Sequence, residues 1–357
     1  MIAEKTEMLN ELLGNFQIDR KTYRFQEINQ GYINDTYLVL DQNTPLYILQ
    51  RVNHNVFKDI KGIMQNIDNV FGLLADREYT PITLFRTHTG LSYLDREDQG
   101  YWRLITYINN STAYNNAPDE KIAFEAGKVV GKFHQLLANA VLDEYVDPIP
   151  QFHDMSLREK QFEDSLVGAK KEKLEFARSA IFFAKETLEK LRVINNDKLP
   201  LRVCHNDTKL NNILFSKDQH KALCLIDLDT IMKGYFYFDF GDAIRTIANR
   251  AEEDEQDHSK ITFEKPLFEA FIDGFESNGA FLREEELDSL AWGAVFMPFI
   301  HGLRALTDYL NDNIYYKVSY ENQNLDRCLS LFYFSNKALQ EIGYMDKTIK
   351  ERLTPLK

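Results

Sequence analysis

The sequence predicts an α+β chain of two lobes, a small β-rich amino-terminal lobe over residues 1–108 and a larger, mostly helical carboxy-terminal lobe over 109–357. Three observations predict it. The first hundred residues carry short apolar runs separated by polar turns, and beyond about residue 110 apolar residues recur at helical spacing. One polar stretch, His205-Asn206-Asp207-Thr208-Lys209-Leu210-Asn211-Asn212, interrupts the helices and leads into a hairpin.

Taken in order, residues 1–20 read as a helix, with Leu9, Leu12, Leu13 and Phe16 at i, i+3, i+4 and i+7. Residues 23–40 read as strand, glycine turn (Asn29 to Asp35) and strand, and Pro45 to Val52 as a third strand. Residues 59–77 put Ile60, Ile63, Met64, Ile67, Val70, Phe71 and Leu74 on one face of a helix. Residues 82–85, 91–94 and 102–108 suggest three more strands, and residues 285–310 a long, mostly apolar helix. Ile213 to Phe215 and Cys224 to Ile226 are the arms of the hairpin, with polar residues 216–221 as its turn.

Composition bounds the function. With 44% hydrophobic and 27% charged residues the chain has material for a core and is not disordered. A net charge of −13 argues against a nucleic-acid partner, which needs a basic footprint. No apolar run of 18 residues exists, so no membrane partner is expected, and the amino terminus lacks the pattern of a signal peptide. Cys204, Cys224 and Cys328 have no metal-like spacing and read as reduced thiols, which sets the expectation of a cytoplasmic protein. Nothing implies a partner chain, and a monomer is the expectation.

The polar stretch carries the chemistry. Phosphoryl transfer needs an acceptor for a hydroxyl proton and oxygen ligands for magnesium, and an Asp with an Asn five residues later and an Asp from the following hairpin supply them. Asp207, Asn212 and Asp227 have that order and spacing. A turn centred between Gln219 and His220 would set Asn212 opposite Asp227, so that both could hold one magnesium ion. Asp229, two residues on, would face the same way on an extended backbone and is a candidate second metal ligand. The bland alternative is a surface loop that happens to contain His, Asp and Asn.

With the glycine turn from Gly31 to Tyr37, Tyr47 to Arg51, the loop HNDTKLNN, Ile226 to Thr230, Tyr237 to Asp242 and Gly302 to Leu310, nearly the whole chain resembles the aminoglycoside phosphotransferase and choline kinase superfamily. Within it, the 302–310 segment is most similar to the bacterial N-acetylhexosamine 1-kinases. The resemblance implies a protein-kinase-like fold that uses ATP and Mg2+ to phosphorylate a small-molecule hydroxyl, here the anomeric hydroxyl of N-acetylglucosamine or N-acetylgalactosamine. Asp207, His205 and Asn212 would form the catalytic set, with Asp207 as proton acceptor and His205 as a brace. Asn212 and Asp227 would hold the metal, and Asp239 would be the structural Asp that fixes the loop.

The nucleotide site departs from the protein-kinase pattern. Gly31 stands alone, so backbone amides from Gly31 to Asn34 would have to meet the phosphates, and the third strand has no Lys. Arg51 and Gln50 are the candidates to replace it, on opposite faces of the strand, with Arg51 favoured for its charge. The helix at 59–77 has no Glu to complete an ion pair. The adenine would lie against Thr106 to Asn109, with Tyr107 and Ile108 at its centre. His301, Arg304 and Asp308 share one face of the 285–310 helix and would grip the sugar, with Tyr315 and Tyr316 close in sequence. Two other readings stay open, an aminoglycoside- or choline-type kinase and an inactive nucleotide-binding protein.

Overall fold

The computed structural model describes residues 2–28, 33–96 and 99–356 and divides into two compact units. The first comprises residues 1–111, 141–149 and 228–232, and the second residues 112–140, 150–227 and 233–357.

The first unit opens with α1 (Ile2–Leu13) and contains β1 (Arg24–Ile28), β2 (Asp35–Asp41), β3 (Thr44–Val52), α2 (Ile60–Leu73), β4 (Leu94–Arg96) and β5 (Gly100–Thr106). The strands form an antiparallel sheet in the order β1-β2-β3-β5-β4. Helix α1 covers one face of it, where Leu9, Leu12, Leu13 and Phe16 pack on Tyr37, Val39, Leu49, Trp102 and Leu104. Alternation along β3 puts Arg51 on the side of Leu49 and turns Gln50 to the other face. Helix α2 is capped by Asp59, whose side chain accepts the Gly62 amide.

Two expected strands fall short. Leu84 makes a single bridge to Ile105, because β4 already pairs with the first half of β5 and leaves only its end open. The strand expected at 91–94 begins only at Leu94.

A short strand β6 (Ser111–Thr112) leads to the second unit. Its helices are α3 (Glu120–Leu136), α4 (Met155–Gly168), α5 (Lys171–Phe176), α6 (Arg178–Leu191), α7 (Phe236–Ile247), α8 (Lys265–Glu276), α9 (Glu284–Leu310), α10 (Gln323–Gln340) and α11 (Ile342–Arg352). Between α6 and α7 lie β7 (Arg202–Cys204), β8 (Ile213–Ser216), β9 (Ala222–Leu225) and β10 (Met232–Gly234). Helices α7 and α9 cross in close contact: a Cβ on Gly241 would fall 2.0 Å from the Gly293 carbonyl oxygen, so glycine is required there. That crossing fixes Asp239 and Asp242 of α7 beside α9, with Asp239 against the loop at 205–208. Among the described residues no helix is long and apolar enough to cross a membrane.

Candidate active site

The loop from His205 to Thr208 is held from several sides. The Asp239 carboxylate, fully buried, accepts the amides of His205 (2.7 Å) and Asn206 (2.6 Å) and lies 2.8 Å from His134 Nε2. Thr208 Oγ1 donates to the Asp239 carbonyl, His205 Nε2 lies 2.9 Å from the Ile226 carbonyl, and His153 Nε2 lies 3.1 Å from the Asn206 carbonyl. Burial holds His153 well below the usual imidazole range, so it meets that carbonyl as a neutral donor. Asn206 has φ 61°, a left-handed conformation that costs free energy and persists because its amide and carbonyl are both held. Helix α7 starts at Phe236, so Asp239 sits in its first turn and bonds to the loop instead of capping the helix.

Asp207 then projects from a rigid turn, with 21% of its side chain exposed. Asn212 Nδ2 donates to the Asp207 carbonyl and to Oδ2, both at 2.8 Å, so Oδ1 is the side-chain atom through which Asn212 could ligate a metal. Lys209 Nζ lies 2.9 Å from Asp207 Oδ2. Burial opposes the Lys209 charge, yet Asp207 and Asp227 together hold the ammonium above its ordinary range. Lys209 had no assigned role from sequence, although its place two residues after Asp207 was a signal.

The hairpin register differs from the expected one by a residue. Ile213 pairs with Leu225 and Leu214 with Cys224, with an irregularity before Phe215, so Asn212 faces Ile226, whose amide donates to the Asn212 carbonyl at 2.8 Å. Asp227 is exposed, one step beyond the ladder, at φ 62°. The extended backbone assumed between Asp227 and Asp229 is also absent, because residues 228–230 form a 3-10 turn. Asp229 is instead 2% exposed and paired with Arg103, so its carboxylate is committed within the first unit.

Asp207, Asn212 and Asp227 offer oxygen donors only, the set a hard divalent cation takes. The Lys209 ammonium, drawn to both carboxylates, shows that this cluster favours positive charge. His134, Cys204 and Asp239 also approach one another, but the Asp239 oxygens already accept the loop amides, and burial keeps the Cys204 thiol neutral by raising it.

The polar residues of α9 have separate partners. His301 Nε2 lies 3.4 Å from Asp242, which pairs with Arg245 at 2.6 Å. Arg245 in turn meets Glu253 at 2.9 Å, and Glu253 meets Arg327 at 3.3 Å. Burial opposes the Asp242 charge, but Arg245 and His301 hold its carboxyl well below the usual range. The Arg304 guanidinium lies 5.1 Å from the Phe152 ring centroid. Asp308 does not join them: its carboxylate accepts the amides of Tyr315 (2.8 Å) and Tyr316 (2.9 Å) and Asn324 Nδ2 (2.9 Å). It is 4% exposed and anchors the loop after α9, which replaces the expectation of an open sugar contact.

In the first unit, Gly31 lies outside the described residues. Asn34 donates to Asp229 at 2.6 Å and accepts the Asn53 amide at 3.0 Å. Arg51 pairs with Asp35 on the α1 side of the sheet, 3.4 Å away. Gln50, on the other face, accepts from Arg103 Nε at 2.9 Å, so the cation beside Asp229 is Arg103 and not Arg51. The Tyr107 amide donates to the Leu46 carbonyl (3.1 Å), and the Ile108 carbonyl accepts from Ser111 Oγ (2.6 Å). Arg103 went unassigned from sequence, although a charge inside Trp102-Arg103-Leu104-Ile105 signals a buried partner.

The fold and this loop define a kinase-like phosphotransferase architecture. The chain belongs to the phosphotransferase enzyme family, whose model matches residues 24–270. Solved structures share the fold at low identity. A microcompartment-associated aminopropanol kinase matches with TM-score 0.64 and 14% identity, over 95% of this chain and 98% of that one. A spectinomycin phosphotransferase in complex with ADP and spectinomycin gives 0.59 and 16%, over 96% and 98%. An amicoumacin kinase in complex with AMP-PNP and Ca2+ gives 0.57 and 14%, over 99% and 94%.

Proposed function

We propose that the chain is a small-molecule kinase that transfers the γ-phosphoryl group of ATP to the anomeric hydroxyl of N-acetylglucosamine or N-acetylgalactosamine, giving the sugar 1-phosphate. The observation that carries the kinase reading is the Asp207, Lys209, Asn212 and Asp227 cluster on a loop fixed by Asp239. Asp207 accepts the hydroxyl proton and aligns the oxygen for attack. Lys209 faces the transferring phosphoryl group and offsets its charge, a role its position between two carboxylates supports. Asn212 and Asp227 hold the magnesium, which when bound neutralises charge on the nucleotide phosphates. The nucleotides carried by the spectinomycin and amicoumacin enzymes, one with Ca2+, are in keeping with ATP and a divalent cation here.

The choice of acceptor rests on charge. Arg304 has no carboxylate partner among the described residues, and a second guanidinium, Arg158, is close enough to feel it: burial and then Arg304 bring Arg158 down to about 10. An amine acceptor, positively charged at neutral pH, would meet repulsion there, whereas sugar hydroxyls and an N-acetyl carbonyl accept the five donors of Arg304. The test is ATP consumption across free sugars, N-acetylated amino sugars, choline and aminoglycosides. Turnover with the N-acetylhexosamines supports the reading; turnover with the amines alone refutes it.

A further inference from the structure

Helix α7 holds more of the catalytic loop than Asp239 alone can reach. Asp239 and Thr246 are seven residues apart, two helical turns or about 10 Å, and so share one face of that helix. The loop runs alongside this face. The Asp239 carboxylate accepts the His205 and Asn206 amides, its carbonyl accepts from Thr208, and Thr246 Oγ1 accepts the Leu210 amide at 2.9 Å. A helical Thr whose hydroxyl meets the carbonyl a turn earlier is common. Two details give Thr246 more than that. Its Oγ1 lies 3.1 Å from the Ala243 carbonyl, which can only accept, so the single hydroxyl proton goes there and the oxygen lone pairs are left for Leu210. Leu210 also opens the 3-10 turn Leu210–Asn212, and the first amide of a helical turn needs an acceptor from outside it. Lys209 occupies the capping position and makes no such bond, because an ammonium has no acceptor and this one lies on Asp207. Thr246 therefore supplies from α7 the cap that the loop cannot make for itself.

Asn212 closes the same turn. Its amide donates to the Lys209 carbonyl and its carbonyl accepts the Ile226 amide, both at 2.8 Å, while Nδ2 donates to Asp207. The orientation of the turn thus decides where Asn212 Oδ1 points. We propose that Thr246 is a positioning residue that caps the 210–212 turn from α7 and thereby sets Asn212 Oδ1 for the metal. The proposal rests on the phosphotransferase reading above. Thr246 acts through Asn212, since its own hydroxyl is committed to Ala243 and Leu210. Every residue in this chain of contacts belongs to the second unit.

The test uses Mn2+ with ADP as the probe, read by the electron paramagnetic resonance of free Mn2+, with urea midpoints as the measure of folding. Thr246→Val keeps the shape of the side chain and removes the acceptor. It should bind Mn2+ about 10- to 100-fold more weakly, the loss typical when a residue supporting a metal ligand is removed. Thr246→Ser keeps the hydroxyl and should bind close to the unaltered protein. Asn212→Ala should itself weaken Mn2+ binding, and adding Thr246→Val to it should cost little more, because two residues that act through one group are not additive. Should Thr246→Val fail to fold, Thr246→Ala against Thr246→Ser makes the same comparison. Unchanged Mn2+ affinity in the folded Thr246→Val variant overturns the proposal. So does an equal loss with and without Asn212, since Thr246 would then act by another route, and so does a Ser variant no better than Val. No Mn2+ and ADP binding by the unaltered protein would instead remove the phosphotransferase reading, and the role of Thr246 with it.

Discussion

Replacing Asp239 by Asn tests the support of the catalytic loop. The carboxylate is 0% exposed and accepts two backbone amides, at 2.7 and 2.6 Å, besides its contact with His134. An Asn side chain keeps one oxygen and presents an NH2 group where the second amide donates, so one buried N–H loses its acceptor and meets a donor. A hydrogen bond to a charged group contributes about 1.5–3 kcal/mol, and a buried donor left unsatisfied costs about 1–3 kcal/mol. Taken together, the change should cost about 2.5–6 kcal/mol, against a typical total of about 5–15 kcal/mol. Urea unfolding followed by circular dichroism measures it, with an unchanged slope required for the shift in midpoint to be read as stability. Turnover should fall as well, because Asn206 loses a hold on its left-handed conformation just before Asp207. A midpoint within error of the unaltered protein would refute the reasoning, as would a loss of metal binding larger than that of Asp227→Asn.

Other substitutions separate the remaining roles. Asp207→Ala should lower turnover by more than the roughly 100- to 10,000-fold typical of a general base while ATP affinity holds, which single-turnover kinetics and nucleotide titration would show. Asp227→Asn should abolish divalent-dependent nucleotide binding, measured by calorimetry with and without the cation. Arg304→Ala should raise the KM for N-acetylhexosamines roughly tenfold to a few hundredfold at constant ATP affinity, whereas Asp308→Ala should mainly lower the melting temperature, because two backbone amides and the buried Asn324 side chain lose an acceptor. Partial desolvation opposes the charge of Glu253, whose side chain is 40% exposed, yet Arg245 and Arg327 hold it down to about 2, below its unpaired value of 4.5. A depressed carboxyl contributes stability above its unfolded value and loses it as pH falls through the folded one. The gap in melting temperature between the unaltered protein and Glu253→Gln should therefore be full above about pH 4.5 and close toward pH 2.

The parts of the fold set by local pattern were legible. The 285–310 helix is present as Glu284–Leu310, because its apolar residues make a long continuous run. Asp207 and Asn212 meet because five residues of a tight turn bring them together whatever surrounds it. What failed depended on tertiary context. The hairpin turn closes one residue earlier than its polar residues suggest, with Phe215 opposite Ala222, and the irregularity beside Phe215 restores only part of that offset, so Asn212 ends one residue away from its expected partner. His301, Arg304 and Asp308 do share α9, but that helix is packed on by α7, α10, α4, α6 and α11, so spacing could not tell which polar groups find internal partners. Asp308 did so through backbone amides, which carry no side-chain signature. Arg51 and Gln50 were correctly placed on opposite faces, but the face that matters is set by Asp229, which reaches β5 from more than a hundred residues downstream.

The most direct test of the account is the position of the new phosphate. After incubation of the protein with ATP, Mg2+ and N-acetylglucosamine or N-acetylgalactosamine, proton-coupled phosphorus NMR should show a phosphate coupled to the anomeric proton, and Asp207→Ala should give no such signal. Phosphate on the 6-hydroxyl would contradict the proposed acceptor geometry while sparing the kinase reading. No phosphorylated product from either sugar, with ATP hydrolysed or untouched, would contradict the account itself.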